Sequence, residues 1–209
     1  TEDSPTAVFG KITFEKAGVY EYTITEVNDH VDGVTYDTTP HEVIVTVVDN
    51  HDGTLTATPK YDGEESLTIT NTYAAEGKVE LEATKSINEW GEAKSFTFTL
   101  APVGEAPMPG DAATVEKNVT KDELTAKFGE ICYQAEGEYK YTITETDDGV
   151  AGITYDTTPH NVVVTVVDNH DGTLTATPKY DNADSLTITN TYAADGEVVL
   201  KVTKSINDW

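Results

Sequence analysis

The 209-residue sequence has no arginine, one cysteine, one methionine, one glutamine and no apolar run near the roughly 18 residues that a membrane-spanning helix needs. Each absence excludes something. One cysteine cannot form an intrachain disulfide. Without arginine there is no guanidinium to fork onto a base edge, and thirteen lysines against 38 acidic side chains give a formal net charge of -25, which repels nucleic acid. Neither a starting methionine nor a secretory leader stands at its head, so the sequence reads as a soluble piece excised from a longer protein. The negative charge keeps such a chain hydrated but names no ligand.

What is abundant is repetition. TYDTTPHEVIVTVVDNHDGTLTATPKYD from Thr35 returns as TYDTTPHNVVVTVVDNHDGTLTATPKYD from Thr154, and TKSINEW from Thr84 returns as TKSINDW from Thr203. Both offsets are 119 residues (154 - 35 and 203 - 84). Residues 1–90 align on 120–209 without a gap, with on the order of two-thirds of positions identical, as in tandem domains. The expected organisation is the rear part of an incomplete repeat over 1–78, a complete repeat over 79–197, and the first strand of a following repeat over 198–209.

Within the complete repeat the apolar period is two. VELEATKSI (79–87), SFTFTL (95–100), YKYTIT (139–144), HNVVVTVV (160–167), GTLTATPKY (172–180) and SLTIT (185–189) read as strands rich in Val, Thr, Tyr and Ile. DNHDG (168–172) and the Pro/Gly-rich PVGEAPMPGD (102–111) read as turn and loop, and TKDELTAKFG (120–129) is the sole short helix candidate. About seven strands in 119 residues predict an all-β, Ig-like antiparallel sandwich, repeated in tandem across a short AAEG joint.

Residues two apart on a strand share a face, and three polar residues stand where that face should be apolar. Lys85 is in phase with Val79, Leu81, Ala83 and Ile87; Glu145 follows Tyr139, Tyr141 and Ile143; Asn190 lies between Ile188 and Tyr192. The incomplete repeat shows Glu26 after Tyr20, Tyr22 and Ile24, and Asn71 between Ile69 and Tyr73, while Lys204 is in phase with Val198, Leu200, Val202 and Ile206. Two readings are open. One is a buried Lys/Glu ion pair with an asparagine satisfying its spare hydrogen bonds, a weak stabiliser for so much buried polarity. The other is chemistry: burial removes the lysine proton, a shift of about 3 pKa units or roughly 4 kcal/mol, and the amine attacks the asparagine side-chain amide. A glutamic acid kept protonated by the same surroundings would hydrogen-bond the amide oxygen and shuttle protons to the departing ammonia.

At these residues the sequence resembles the isopeptide-linkage domain of Gram-positive pilins and cell-wall-anchored adhesins, as in streptococcal pilin shafts. The resemblance is carried by ATKSI followed by FTFTL, by YKYTITE ending in the acid, by GITYDTTPHNVVVTVV, and by LTITNTY with its asparagine. It implies a Lys85 to Asn190 isopeptide bond promoted by Glu145. In the incomplete repeat it implies the same promoter role for Glu26 and an acceptor role for Asn71. That copy has no lysine strand ahead of Thr1, and Lys204 has no promoter-glutamate strand or acceptor-asparagine strand after it, so Lys204 could meet Asn71 only between two copies of the chain.

Other motifs carry less. DNHDG lacks the spacing and terminal glutamate of a calcium loop and reads as a hairpin turn. His41 and His160 read as strand-end residues; His30 has no copy in the full repeat. Cys132 aligns with Thr13 and Gln134 with Glu15, which disfavours thioester and Thr-Gln ester chemistry. Lys60 and Lys179 read as exposed strand lysines, Trp90 and Trp209 as packing residues. No cofactor and no metal is expected. The function expected is a structural stalk repeat of a surface adhesin or pilus, outside the cell and anchored to the wall by a segment beyond this sequence. Its partners would be neighbouring repeats, with host protein or glycan met through other domains, and with neither nucleic acid nor membrane insertion. The alternative is a host-ligand-binding adhesin domain using sandwich loops such as 101–119. An enzyme is not expected, because the triad would be consumed in a single turnover.

Overall fold

The structure, a computed structural model, describes residues 6–207; Trp209 lies outside the described residues. The chain divides into two compact units, Thr1–Ala74 and Ala75–Trp209. In the first, β1 (Gly18–Ile24), β3 (His41–Asp49) and β4 (Leu55–Tyr61) form an antiparallel sheet, while β2 (Val34–Thr35) pairs with β5 (Thr72–Tyr73).

The second unit holds β6 (Gly77–Ile87), β7 (Phe96–Val103), β8 (Val115–Val119), β9 (Thr125–Tyr133), β10 (Gly137–Glu145), β11 (Ile153–Thr154), β12 (His160–Asp168), β13 (Leu174–Tyr180) and β14 (Thr187–Tyr192). They make a five-stranded sheet, in the order β13-β12-β10-β7-β8, and a four-stranded sheet, in the order β11-β14-β6-β9. The fold is the expected all-β one. Among the named strand pairs β14 with β6 is the parallel one, so the first and last long strands of the unit lie side by side. Alternation builds the core. Leu81, Ala83, Phe96, Phe98, Tyr141, Ile143 and Ile188 point inward, while Glu80, Glu82 and Ser86 remain exposed. Each large apolar side chain buried this way contributes about 1.5–3 kcal/mol.

The helix expected over 120–129 is absent. A tight turn closes Thr120 on Glu123, and β9 follows. Its buried positions are Ala126 and Phe128, then Ile131 and Tyr133, because a bulge adds one residue to β9 between the Glu80–Glu130 and Glu82–Lys127 pairs. Gly129, at φ 97, supplies the left-handed backbone there. The bulge shifts the period-two phase and hides the strand from a pattern reading.

The first unit shows what the lysine strand does for its neighbours. β9 pairs within its sheet with β6 alone, and the first unit has no counterpart of β6. Its residues 6–14, the copy of β9, therefore form no strand. Phe9 is 67% exposed where its copy Phe128 is 1%, and Ile12 is 52% exposed where Ile131 is 0%. At the other end of the chain, residues 193–207 also form no strand, with Val198, Leu200 and Val202 exposed. Apolar alternation alone does not make a strand when no neighbouring ladder pairs with it. DNHDG forms the hairpin turn in both units, joining β3 to β4 and β12 to β13; Asp168 accepts from the His170 N–H and Asp171 from the Thr173 N–H.

Candidate functional site

Lys85 near the end of β6, Asn190 in β14 and Glu145 closing β10 meet inside the second unit. They are the buried non-aromatic polar side chains among the described residues, at 2%, 1% and 4% exposure. Two strands of one sheet supply the lysine and asparagine, and the facing sheet supplies the glutamate. β6 and β14 being parallel sets Lys85 opposite Ile188 and Asn190 opposite Ile87, so the two functional side chains are diagonal neighbours on the inner face.

One carboxylate oxygen touches both nitrogens. Glu145 Oε1 lies 2.8 Å from Lys85 Nζ and accepts a hydrogen bond from Asn190 Nδ2 at 2.9 Å. The Lys85 contact has ion-pair distance without hydrogen-bond alignment, and Glu145 Oε2 is buried with no hydrogen-bond partner. Asn190 Oδ1 accepts the backbone N–H of Asp156 at 3.0 Å. A backbone N–H can only donate, so this contact fixes the amide with its oxygen toward Asp156 and its nitrogen toward Glu145. Glu145 thus engages the amide nitrogen, not the amide oxygen as the sequence reading expects.

Burial pushes the Lys85 amine below the usual lysine range, opposed by its contact with Glu145. Burial likewise raises the Glu145 carboxyl, opposed by Lys85, Asn190 and the Asp156 N–H. Both shifts favour a neutral amine beside a neutral acid. Phe96 and Phe98 rings lie 4.8 and 5.7 Å from Nζ and would favour a cation. That attraction is worth about 1–2 kcal/mol, less than the several kcal/mol per ion that desolvation costs.

The first unit repeats the arrangement without a lysine. Asn71 Nδ2 donates to Glu26 Oε1 at 2.8 Å, and Asn71 Oδ1 accepts the Asp37 N–H at 3.0 Å. Asn71 is exposed and Glu26 half-buried. Lys204 is exposed and belongs to no strand. The structure therefore brings together Lys85, Glu145 and Asn190, and Glu26 with Asn71, but joins Lys204 to neither set.

The histidines do more than end strands. His160 Nδ1 lies 2.8 Å from Asp181 and its Nε2 3.3 Å from Asp156; His41 sits likewise between Asp62, at 2.7 Å, and Asp37, at 3.6 Å. Sequence reasoning missed both the Asp156 N–H and this bracing; the signal available was the repeated YDTTPH with an aspartate 21 residues after the histidine. Hydrogen bonding to His41 holds Asp62 below the usual carboxylate range and raises His41. Cys132 is exposed, Lys60 pairs with Glu65 and Lys179 with Asp184, and Trp90 packs against Phe96 with ring centroids 4.8 Å apart. Among the described residues no cluster of acidic, histidine and cysteine side chains is placed to hold a metal, and no helix is long and apolar enough to cross a membrane.

Solved structures similar to this chain include the major pilin from Streptococcus pyogenes, 26% identical over 87% of this chain and 72% of that one, with a TM-score of 0.29. A second major pilin from the same organism is 20% identical over 87% and 70%, with a TM-score of 0.27. A C-terminal fragment of the pilus adhesin SpaC from Lactobacillus rhamnosus GG is 16% identical over 87% and 60%, with a TM-score of 0.28. Scores this low carry no structural argument, and no curated protein matches. The sequence model of Spy0128-like isopeptide-containing domains matches residues 1–74 and 81–193, both units of the chain. By that match, this chain belongs to the family of Spy0128-like isopeptide-containing domains.

Proposed function

We propose that the chain is a structural module of a Gram-positive pilus or surface adhesin, and that its second unit ties itself together through an isopeptide bond from Lys85 Nζ to Asn190 Cγ. Membership of the isopeptide-containing family supports the structural role at the cell surface. The observation that carries the chemistry is the single oxygen of Glu145 in contact with both nitrogens.

Burial favours the uncharged forms of both groups, and the reaction starts from neutral amine and neutral acid. The Nζ lone pair attacks Cγ, and the carbonyl electron pair moves onto Oδ1. Glu145 takes a proton from Nζ and gives one to Nδ2. The carbonyl re-forms, the Cγ–Nδ2 bond breaks and ammonia leaves, with Glu145 returned to its starting state. One amine and one primary amide become one secondary amide and one ammonia. The lysine and asparagine are consumed, so the reaction runs once per domain and the protein is not a turnover enzyme.

Intact-mass measurement tests this. The chain is expected to be lighter than its sequence by about 17 Da, the mass of one ammonia. A full-length mass equal to that of the unreacted sequence overturns the reading. Glu145→Ala is expected to restore the unreacted mass in a chain that still folds.

A further inference from the structure

The Asn190 amide is held at both ends, and the donor at its oxygen end has no part in the scheme above. As Nζ bonds to Cγ, negative charge develops on Oδ1, and the Asp156 N–H already stands 3.0 Å from that atom. A fixed donor at this distance, in a site closed to water, acts where charge appears in the transition state. We propose that the backbone N–H of Asp156 is the oxyanion donor for cross-linking, and that the loop from Tyr155 to His160 is a brace that aims it. This rests on the cross-linking reading of the site.

The brace can be followed contact by contact. Asp156 Oδ1 accepts the Thr158 N–H at 3.1 Å, folding the loop back on the residue whose own N–H is in use. Asp156 Oδ2 lies 3.3 Å from His160 Nε2, a close approach without hydrogen-bond alignment, and His160 Nδ1 hydrogen-bonds Asp181 Oδ2 at 2.8 Å. Asp181 is fixed in turn: its Oδ1 accepts the Asn161 N–H at 2.9 Å and its own N–H donates to the Asn161 carbonyl at 2.8 Å. The start of β12 and the turn after β13 therefore hold one carboxylate whose backbone faces the reacting amide.

The first unit supplies an independent copy. Asp37 donates its N–H to Asn71 at 3.0 Å, accepts from the Thr39 N–H at 3.0 Å and faces His41; His41 is held by Asp62, which accepts the Glu42 N–H at 2.8 Å. There the asparagine is exposed and no lysine is present. The brace closes around an exposed asparagine, so it is a property of the loop and not a by-product of burying a polar amide. Residue 42 is Glu where residue 161 is Asn, yet the backbone contact is the same, so the side chain there is not what matters.

The test times the reaction. Cell-free synthesis is stopped after a short pulse, and the loss of one ammonia mass from the full chain is followed. Asp156→Pro deletes the N–H and is expected to slow cross-linking about 100-fold, the scale of losing one oxyanion donor. His160→Ala touches no reacting atom and keeps the N–H; as a positioning change it is expected to slow the reaction about 10-fold, a fraction of the donor's full effect. Two readouts separate aiming from mere structure. In an Asn190→Ala background, which cannot cross-link, His160→Ala should leave the melting temperature within a few degrees. In unlinked Glu145→Ala protein, the Asp156 amide proton resonance should move upfield when His160→Ala is added. If Asp156→Pro fails to fold, the His160→Ala rate and the amide resonance decide. Wild-type chain that never loses the mass overturns the cross-linking reading and this proposal with it. Wild-type chain that links, with His160→Ala linking at the same rate or the amide resonance unmoved, overturns this proposal alone.

Discussion

Lys85 and Asn190 are diagonal neighbours on a parallel strand pair, two residues apart in register on the buried face. Parallel pairing gives that neighbourhood a mechanical meaning. Tension entering at the start of β6 and leaving at the end of β14 pulls the two strands in opposite directions along their axes, so their ladder bonds are loaded together in shear. A covalent bond between these strands carries the load past everything enclosed.

Single-molecule pulling measures how much chain is shielded. The proposed bond would span 190 - 85 = 105 chain steps, a hidden length of roughly 360 Å at full extension. Wild-type second units are expected to release none of it, whereas Asn190→Ala should unfold with the full gain. A wild-type trace showing that gain would remove the load-bearing role.

Thermal stability should fall by a comparable logic. Closing a loop of this size is worth about 5 kcal/mol on the chain-entropy account of cross-links. Asn190→Ala is therefore expected to lower the melting temperature of the second unit by roughly 15 °C. Thiol reductants should leave the wild type unaffected, since an amide is not reducible by thiols. A melting temperature unchanged by the substitution would count against a cross-link in the wild type.

The cross-linking rate should pass through a maximum with pH. Burial lowers the Lys85 amine and raises the Glu145 carboxyl, so both shifts favour the form in which the pair's one proton sits on the acid, the form the reaction uses. As pH falls, the amine gains a proton and loses its lone pair. As pH rises, Glu145 loses the proton that the departing nitrogen needs. Pulse-labelled chain followed by mass should therefore link more slowly on both sides of the maximum. A rate that climbs steadily into alkali would show that amine deprotonation is the sole requirement.

The site was legible because each of its three side chains breaks an alternation that otherwise holds. Lys85, Glu145 and Asn190 each interrupt an apolar face, and period two carries through β6, β10 and β14 without a bulge on the residues concerned. β9 was not legible, because Gly129 and the extra residue beside it change the phase in mid-strand. The partner of the Asn190 oxygen was hidden for a different reason. It is a backbone N–H, which every residue but proline carries, and no side-chain pattern marks which one a loop will aim inward. The parallel pairing of β6 with β14 joins segments a hundred residues apart, and hydrophobic period does not encode strand direction.

The first unit offers a way to isolate the chemistry from the rest of the chain. Residues 1–74 correspond to 120–193 through the 119-residue offset, so this unit contains the copies of β9 to β14 and lacks those of β6, β7 and β8. Its acceptor is oriented: Asn71 already bonds Glu26 and the Asp37 N–H. What it needs is a lysine and the apolar cover that desolvates it, which residues 77–119 provide in the second unit through Lys85, Phe96 and Phe98. Supplied as a separate polypeptide, the 77–119 segment is expected to dock on the first unit, protect the amides of residues 6–14 from exchange, and form a covalent adduct. The adduct mass should equal the two chains less about 17 Da, and digestion should join Lys85 of the segment to Asn71. Lys85→Ala in the segment, or Glu26→Ala in the chain, should abolish the adduct. Amide protection without an adduct would mean that strand pairing is restored but that the polar trio needs more of the fold than these segments contain to become reactive.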